Sequence, residues 1–308
     1  MPSIATIHRG AETPRSSLFE KCVLAASVPR CVVAACVAAM LLPGDASAQQ
    51  RPLVTEDPET VGAGRLLVEA GLDYARDTVF PVSGLEGHLF RFPLIGVSIG
   101  VSSIAEIQVD GGVYDRLTIT QRRSAPLSRM VTATGATTSD VEDIVIGTKL
   151  RLVPEGVSRP ALGFRFATKL PNASNENGIG LDTTDFYASL LIAKTVQSVR
   201  VVSNAGLAIL GDPTRGDRQN DLLTYGISFA RAVTQAAEVV GEINGRINMR
   251  DVDVPPGTES RSAVRFGTRY TIGTWRADAA LMFGVSSTDP SIGMSAGFTY
   301  VFTAFRVP

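Results

Sequence analysis

Residues 235–248, Gln-Ala-Ala-Glu-Val-Val-Gly-Glu-Ile-Asn-Gly-Arg-Ile-Asn, alternate between two unlike sets of side chains. Ala237, Val239, Gly241, Ile243, Gly245 and Ile247 carry no charge, whereas Glu238, Val240, Glu242, Asn244, Arg246 and Asn248 are nearly all polar. A period of two belongs to a β-strand, whose successive side chains leave opposite faces of the sheet. A soluble sheet could contain one such strand. Here the pattern recurs down the chain, behind a leader-like N-terminus, with long and short connections in alternation. That combination predicts an all-β protein, a closed antiparallel transmembrane β-barrel of about 12 strands, with a secreted soluble β-sandwich as the alternative architecture.

The strands are expected near 65–75, 89–97, 105–111, 143–152, 162–170, 182–193, 199–210, 222–231, 235–248, 262–271, 275–283 and 293–302. Pro93, which has no N–H to donate, belongs at an edge, an end or a bulge. Connections after odd-numbered strands are long (76–88, 115–141, 171–181, 211–220, 249–261 and 286–292), and those after even-numbered strands are short. Outer-membrane barrels have long extracellular loops and short periplasmic turns, so both chain ends should lie on the periplasmic side. Strands of about 9–11 residues also suit a tilted crossing of the hydrocarbon layer.

The first 48 residues read as a cleaved secretory signal peptide. Basic Arg9, Arg15, Lys21 and Arg30 precede an apolar run from Cys31 to Leu42, and Ala46-Ser47-Ala48 ends in a small-x-small pattern. All three cysteines, Cys22, Cys31 and Cys36, fall in this leader, so the exported product would have neither a disulfide nor a cysteine metal site. Residues 49–62, with Pro52, Pro58 and several acids but no period, are expected to be a flexible periplasmic lead-in, and 63–308 the barrel. From residue 49 onward there are 25 Lys plus Arg against 27 Asp plus Glu, a balance that argues against nucleic-acid partners. Mean hydropathy is positive although 19% of residues are charged, so much apolar surface must face a core or lipid.

A lipid-facing Arg or Lys at mid-membrane costs about 2–4 kcal/mol. The charged phase of each strand is therefore assigned to the lumen: Arg65, Glu69, Asp73, Glu106, Asp110, Lys149, Arg151, Arg165, Lys169, Arg200, Glu238, Glu242, Arg246, Arg265, Arg269, Arg276 and Asp278. Asp185 and Tyr187 are further interior candidates. Such a wall could line a water-filled path, or its charges could pair into a closed plug. Arginines outnumber lysines 22 to 3 after the leader, which suits either carboxylate recognition or a structural network. Aromatic residues near strand ends (Tyr74, Phe90, Tyr114, Tyr187, Tyr270, Trp275, Tyr300 and Phe302) fit interfacial girdles.

Site chemistry of other kinds is sparse. His88 is the one histidine after the leader, and no nucleophile motif accompanies it; it reads as a rim residue, with a barrel hydrolase as the reading that would need a serine beside it. No His/Cys cluster suggests zinc, and Gly178-Ile179-Gly180 is not followed by a helix pattern, so no catalytic residue, metal or cofactor is assigned.

Arg51-Pro52-Leu53-Val54-Thr55-Glu56-Asp57-Pro58, Asp143 to Gly147 with Lys149 and Arg151, Leu170-Pro171 before a glycine-bearing loop, and Asn204-Ala205-Gly206 resemble a family of outer-membrane transporters. That family is named for the meta-cleavage pathway of phenol degradation. Pro171-Asn172-Ala173 departs from the Pro-Thr-Gly common in such relatives. The resemblance implies an outer-membrane location, passage of aromatic or other hydrophobic solutes, and no catalytic residues. The expectation is a monomer whose partners are outer-membrane lipids and a small solute. A structural or adhesion barrel with a charge-plugged lumen is the alternative.

Overall fold

The structure is a computed structural model and describes residues 51–250 and 252–306. The leader expected over 1–48 lies outside these residues. Fourteen strand segments follow one another: β1 (Arg65–Phe80), β2 (Leu85–Gly100), β3 (Ala105–Gly112), β4 (Asp115–Arg122), β5 (Thr137–Asp140), β6 (Val145–Val153), β7 (Ala161–Lys169), β8 (Asp185–Val196), β9 (Val199–Gly211), β10 (Gln219–Ala232), β11 (Ala237–Asn248), β12 (Arg261–Ile272), β13 (Trp275–Gly284) and β14 (Ile292–Thr303).

Each strand pairs antiparallel with its neighbours, and β1 pairs with both β2 and β14, which closes the sheet. β2 carries β3 along residues 94–100 and β4 along residues 85–91, so β3 and β4 are two parts of one stave. β5 and β6 divide the next stave in the same way, against β4 and β3 respectively. The barrel therefore has twelve antiparallel staves. Closure leaves no edge strand whose donors would lie unpaired in lipid.

Two of the expected connections are shorter than the sequence suggested. Residues 76–88 are not a loop: β1 runs to Phe80, β2 starts at Leu85, and a four-residue turn joins them. Residues 115–141 are not structureless either, because β4 and β5 continue the wall above the main body. In this extension the usual pattern is inverted. Leu85, Leu89 and Leu117 turn inward and are buried together, with Phe80, Ile119, Val131 and Ile179 packed on them. Outward-facing Arg116, Thr118 and Thr120 are exposed and polar, as a wall surrounded by water requires. Pro93 lies at a bulge, where the β1–β2 register shifts between Gly71 and Asp73.

Lower down, the outer phase is apolar. Ile95, Ile107, Ile146, Phe166, Leu190, Leu207, Ile227, Ile243, Phe266, Leu281 and Phe298 are all exposed, on β2, β3 and β6 to β14. So much exposed apolar surface belongs in a bilayer. Trp275 packs with Tyr300 and Phe298, and Tyr300 stacks on Phe302, forming an aromatic girdle at the short-turn end. Tyr187 does not join a girdle; it falls in the same inward phase of β8 as Asp185 and Leu191.

Candidate functional site

The inward phase holds the charged side chains assigned to the lumen, from Arg65, Glu69 and Asp73 on β1 to Arg276 and Asp278 on β13. What they enclose is a strap of the chain itself. Residues 51–62, expected as a flexible lead-in, are held against the inner wall by strands spread right round the ring, which only an interior position allows. This corrects the expectation, and the cause is electrostatic. The acids of the strap meet bases of the wall.

Glu56 lies 3.3 Å from Lys149 Nζ and 3.0 Å from Arg165 Nε, and Lys149 also meets Glu106 at 3.0 Å. Lys149 and Glu106 are fully buried. Gln108 Nε2 donates to Glu106 and its Oε1 accepts from Arg165 at 2.7 Å, which completes the cluster. Asp57 pairs with Arg200, and Glu59 with Arg151. Glu242 accepts from the Val54 N–H (2.9 Å), the Thr55 N–H (2.9 Å) and the Thr55 hydroxyl (2.7 Å), and is itself paired with Arg265 at 2.8 Å. Asn204 holds Glu56 by both its backbone groups. The Val61 N–H donates to Glu106. Arg269 donates to the Arg51 carbonyl, and the Arg51 guanidinium reaches Asp278 (3.7 Å) and Asp73 (3.9 Å). The strap has no sheet partner of its own, so wall side chains supply the hydrogen bonds that its buried backbone needs.

The wall leaves room where the strap crosses it. A Cβ on Gly71 would stand 2.2 Å from the Arg51 guanidinium, and one on Gly226 would stand 2.8 Å from the Thr55 hydroxyl. Glycine leaves the strap side chains room by close approach, and neither position has a positive backbone φ.

Other charges meet groups of the wall and its loops. Lys169 bridges Asp143 (3.0 Å) and Asp185 (2.9 Å). Asp110 stands 3.9 Å from Arg165, Glu238 stands 3.9 Å from Arg269, and Glu69 accepts from Thr299. Arg276 donates to Thr271. Arg246 donates to the carbonyls of Gly257 and Glu259. His88 lies in the outward phase of β2, 3.9 Å from Asp77. Among the described residues it has no hydrogen bond to a serine, the contact a hydrolase reading would need.

Two cavities lie in series along the lumen. The outer, at the long-connection end, has a volume of about 420 Å³. Its wall is apolar at Val79, Phe80, Leu89, Ile179 and Leu181, and charged at Arg91 and Lys169 and at the acids Asp115, Glu142, Asp143 and Asp185. The inner, about 340 Å³, rests on Val54, Thr55 and Glu56 of the strap. Tyr187, Arg246 and Arg261 line both. Sequence reasoning missed the strap, Arg261 and this shared constriction. The acids at 56, 57 and 59 were the available signal, since a charged wall needs countercharges.

The sequence of residues 49–302 matches the family model described as "Putative MetA-pathway of phenol degradation". The chain belongs to this family. No curated protein sequence matches it. Among solved structures it is similar to an outer membrane channel from Pseudomonas putida F1, at 11% identity and a TM-score of 0.57, covering 80% of this chain and 98% of that one. It is also similar to the translocator domain of the autotransporter NalP from Neisseria meningitidis (12% identity, TM-score 0.47, 78% and 89% covered). A third likeness is to the NanC porin (8%, 0.46, 76% and 98%). The likeness to the Pseudomonas putida F1 channel agrees with the closed barrel seen here.

Proposed function

We propose that the protein is a monomeric outer-membrane channel through which a small, apolar-bodied or aromatic solute passes passively. One observation carries this reading: two cavities stand in series inside a barrel with a charged inner wall and an apolar outer belt. Passage would run from the long-loop end through the Tyr187–Arg246–Arg261 constriction and past the strap. The family's description, which concerns phenol degradation, supports an aromatic solute, and the apolar wall of the outer cavity is chemically suited to one. The reading assigns the chain no reaction.

The strap favours a second reading, a structural barrel closed by its own N-terminal segment, because it ties together so much of the inner wall. Purified protein in planar bilayers separates the two. A channel gives discrete conductance steps, and liposomes containing it take up small solutes. No conductance together with no solute flux would leave the plugged barrel as the better account.

A further inference from the structure

We propose that Arg246 and Arg261, with Tyr187, form a binding site for the carboxylate of a small organic acid whose apolar body lies in the outer cavity. This deepens the channel reading and rests on it for its biological meaning, though not for its test. Arg246 and Arg261 are directly opposed on β11 and β12, in the inward phase. Like charges at such a pair repel one another. Elsewhere the lumen neutralises its bases: Lys149, Arg151, Arg165, Lys169, Arg200 and Arg265 each meet a carboxylate. Among the described residues, neither Arg246 nor Arg261 has a carboxylate oxygen within 4.0 Å.

Their hydrogen bonds go to neutral carbonyls instead, those of Gly257 and Glu259 for Arg246 and that of Val79 for Arg261. The Arg261 Nε is buried and has no acceptor. Of the nearby acids, Asp143 and Asp185 pair with Lys169 and Glu142 with Arg91. Glu259 accepts from the Gly257 N–H through one carboxylate oxygen and leaves the other buried without a hydrogen-bond partner, more than 4.0 Å from either guanidinium. Arg276 also lacks a carboxylate, but it is satisfied by Thr271 at the short-turn end and lines neither cavity. The constriction therefore presents two unneutralised guanidiniums, one with a spare buried donor, at the point where the cavities meet. A planar fork of N–H donors matches a carboxylate in two-point geometry. Phe80, Leu89 and Ile179 above it suit a ring or branched chain rather than a second charge.

The test uses the full chain in detergent, with benzoate as probe and benzamide as its neutral isostere. Calorimetry should find saturable benzoate binding, with benzamide about ten-fold weaker or more, the scale of losing a charge-assisted contact. Arg246→Gln and Arg261→Gln should each weaken benzoate by a similar factor, whereas Arg215→Gln, on an exposed loop, should not change it. Heat-modifiable gel migration identifies variants that fold. A measurement on the unaltered protein stands beside them: benzoate, but not benzamide, should protect Arg246 and Arg261 from phenylglyoxal, mapped by mass spectrometry. Equal affinity for the two probes, or no protection, overturns the site. Liposome flux separates this from the channel reading. Benzoate binding without flux of any solute sinks the channel and leaves the site; flux with no preference for benzoate sinks the site and leaves the channel.

Discussion

Two clusters in the lumen are built from the same alternating strands, yet they treat charge in opposite ways. In the short-turn half the strap supplies Glu56, Asp57 and Glu59 to Lys149, Arg165, Arg200 and Arg151, so the bases are matched. In the long-loop half Arg246 and Arg261 stand side by side on adjoining strands, both bordering open volume. An inward charge therefore has no fixed meaning in a barrel. Where a counter-ion is built in, it glues the wall to the strap; where none is, it is available to whatever enters.

The largest expected effect breaks the matched half. Glu106→Ala strips the fully buried Lys149 of one of its two carboxylates and removes the acceptor of the Val61 N–H. Breaking a buried ion pair from one side costs about 3–5 kcal/mol, because the remaining charge stays desolvated. Urea unfolding of the protein in lipid vesicles should register a loss on that scale. The equivalent insult in the other half, Arg246→Gln, should change stability by about 1 kcal/mol or less, since it relieves a like-charge pair while giving up two carbonyl contacts. Equal losses from the two variants would erase the contrast.

A smaller effect sharpens the comparison without touching a charge. Gly226→Leu sets side-chain atoms where the Thr55 hydroxyl now lies, the three atoms nearest a Cβ there all belonging to the Thr55 side chain. Overpacking of this kind costs about 1–3 kcal/mol. If the strap restricts flow, the variant should also conduct more than the parent in planar bilayers. Unchanged stability and conductance would mean that the strap is not seated against β10.

Most of the barrel was legible because lipid enforces a simple rule on every stave that crosses it. Ile243 out and Glu242 in is a two-residue signal, and the strand limits read from it fall within a few residues of β11. The rule lapses at the top, where β4 faces water and Leu117 points inward while Arg116 points out, so a strand there looked like polar loop. It fails again for the strap, which makes a single pass with no period. Glu56 and Lys149 are separated by five strand segments, β1 to β5, in sequence, and nothing local announces that they touch. Arg261 was missed because it opens β12 beside a proline- and glycine-bearing loop, where the alternation has only just begun.

The smallest expected effect lies outside the bilayer, at the turn of residues 154–160, which offers a matched charge without deep burial. Glu155 accepts from the Thr195 N–H at 2.8 Å and pairs with Lys194 (3.3 Å) and Arg200 (2.9 Å). Partial burial works to raise its carboxyl, but these hydrogen bonds outweigh it and hold the group down at about 2, against 4.5 for a free glutamate. A carboxylate depressed in the folded state adds stability above its unfolded value and loses it as pH falls through the folded one. The turn should therefore loosen between about pH 4.5 and pH 2, with faster hydrogen exchange at the Thr195 amide than at strand amides on the same staves. Glu155→Gln should abolish that pH response while leaving the strap in place, because Arg200 keeps Asp57. An amide at Thr195 equally protected at both ends of that range would mean that the Glu155 contact does not hold the turn. Loss of the strap in Glu155→Gln would mean that Arg200 needs both carboxylates, and that the matched half extends into the turn itself.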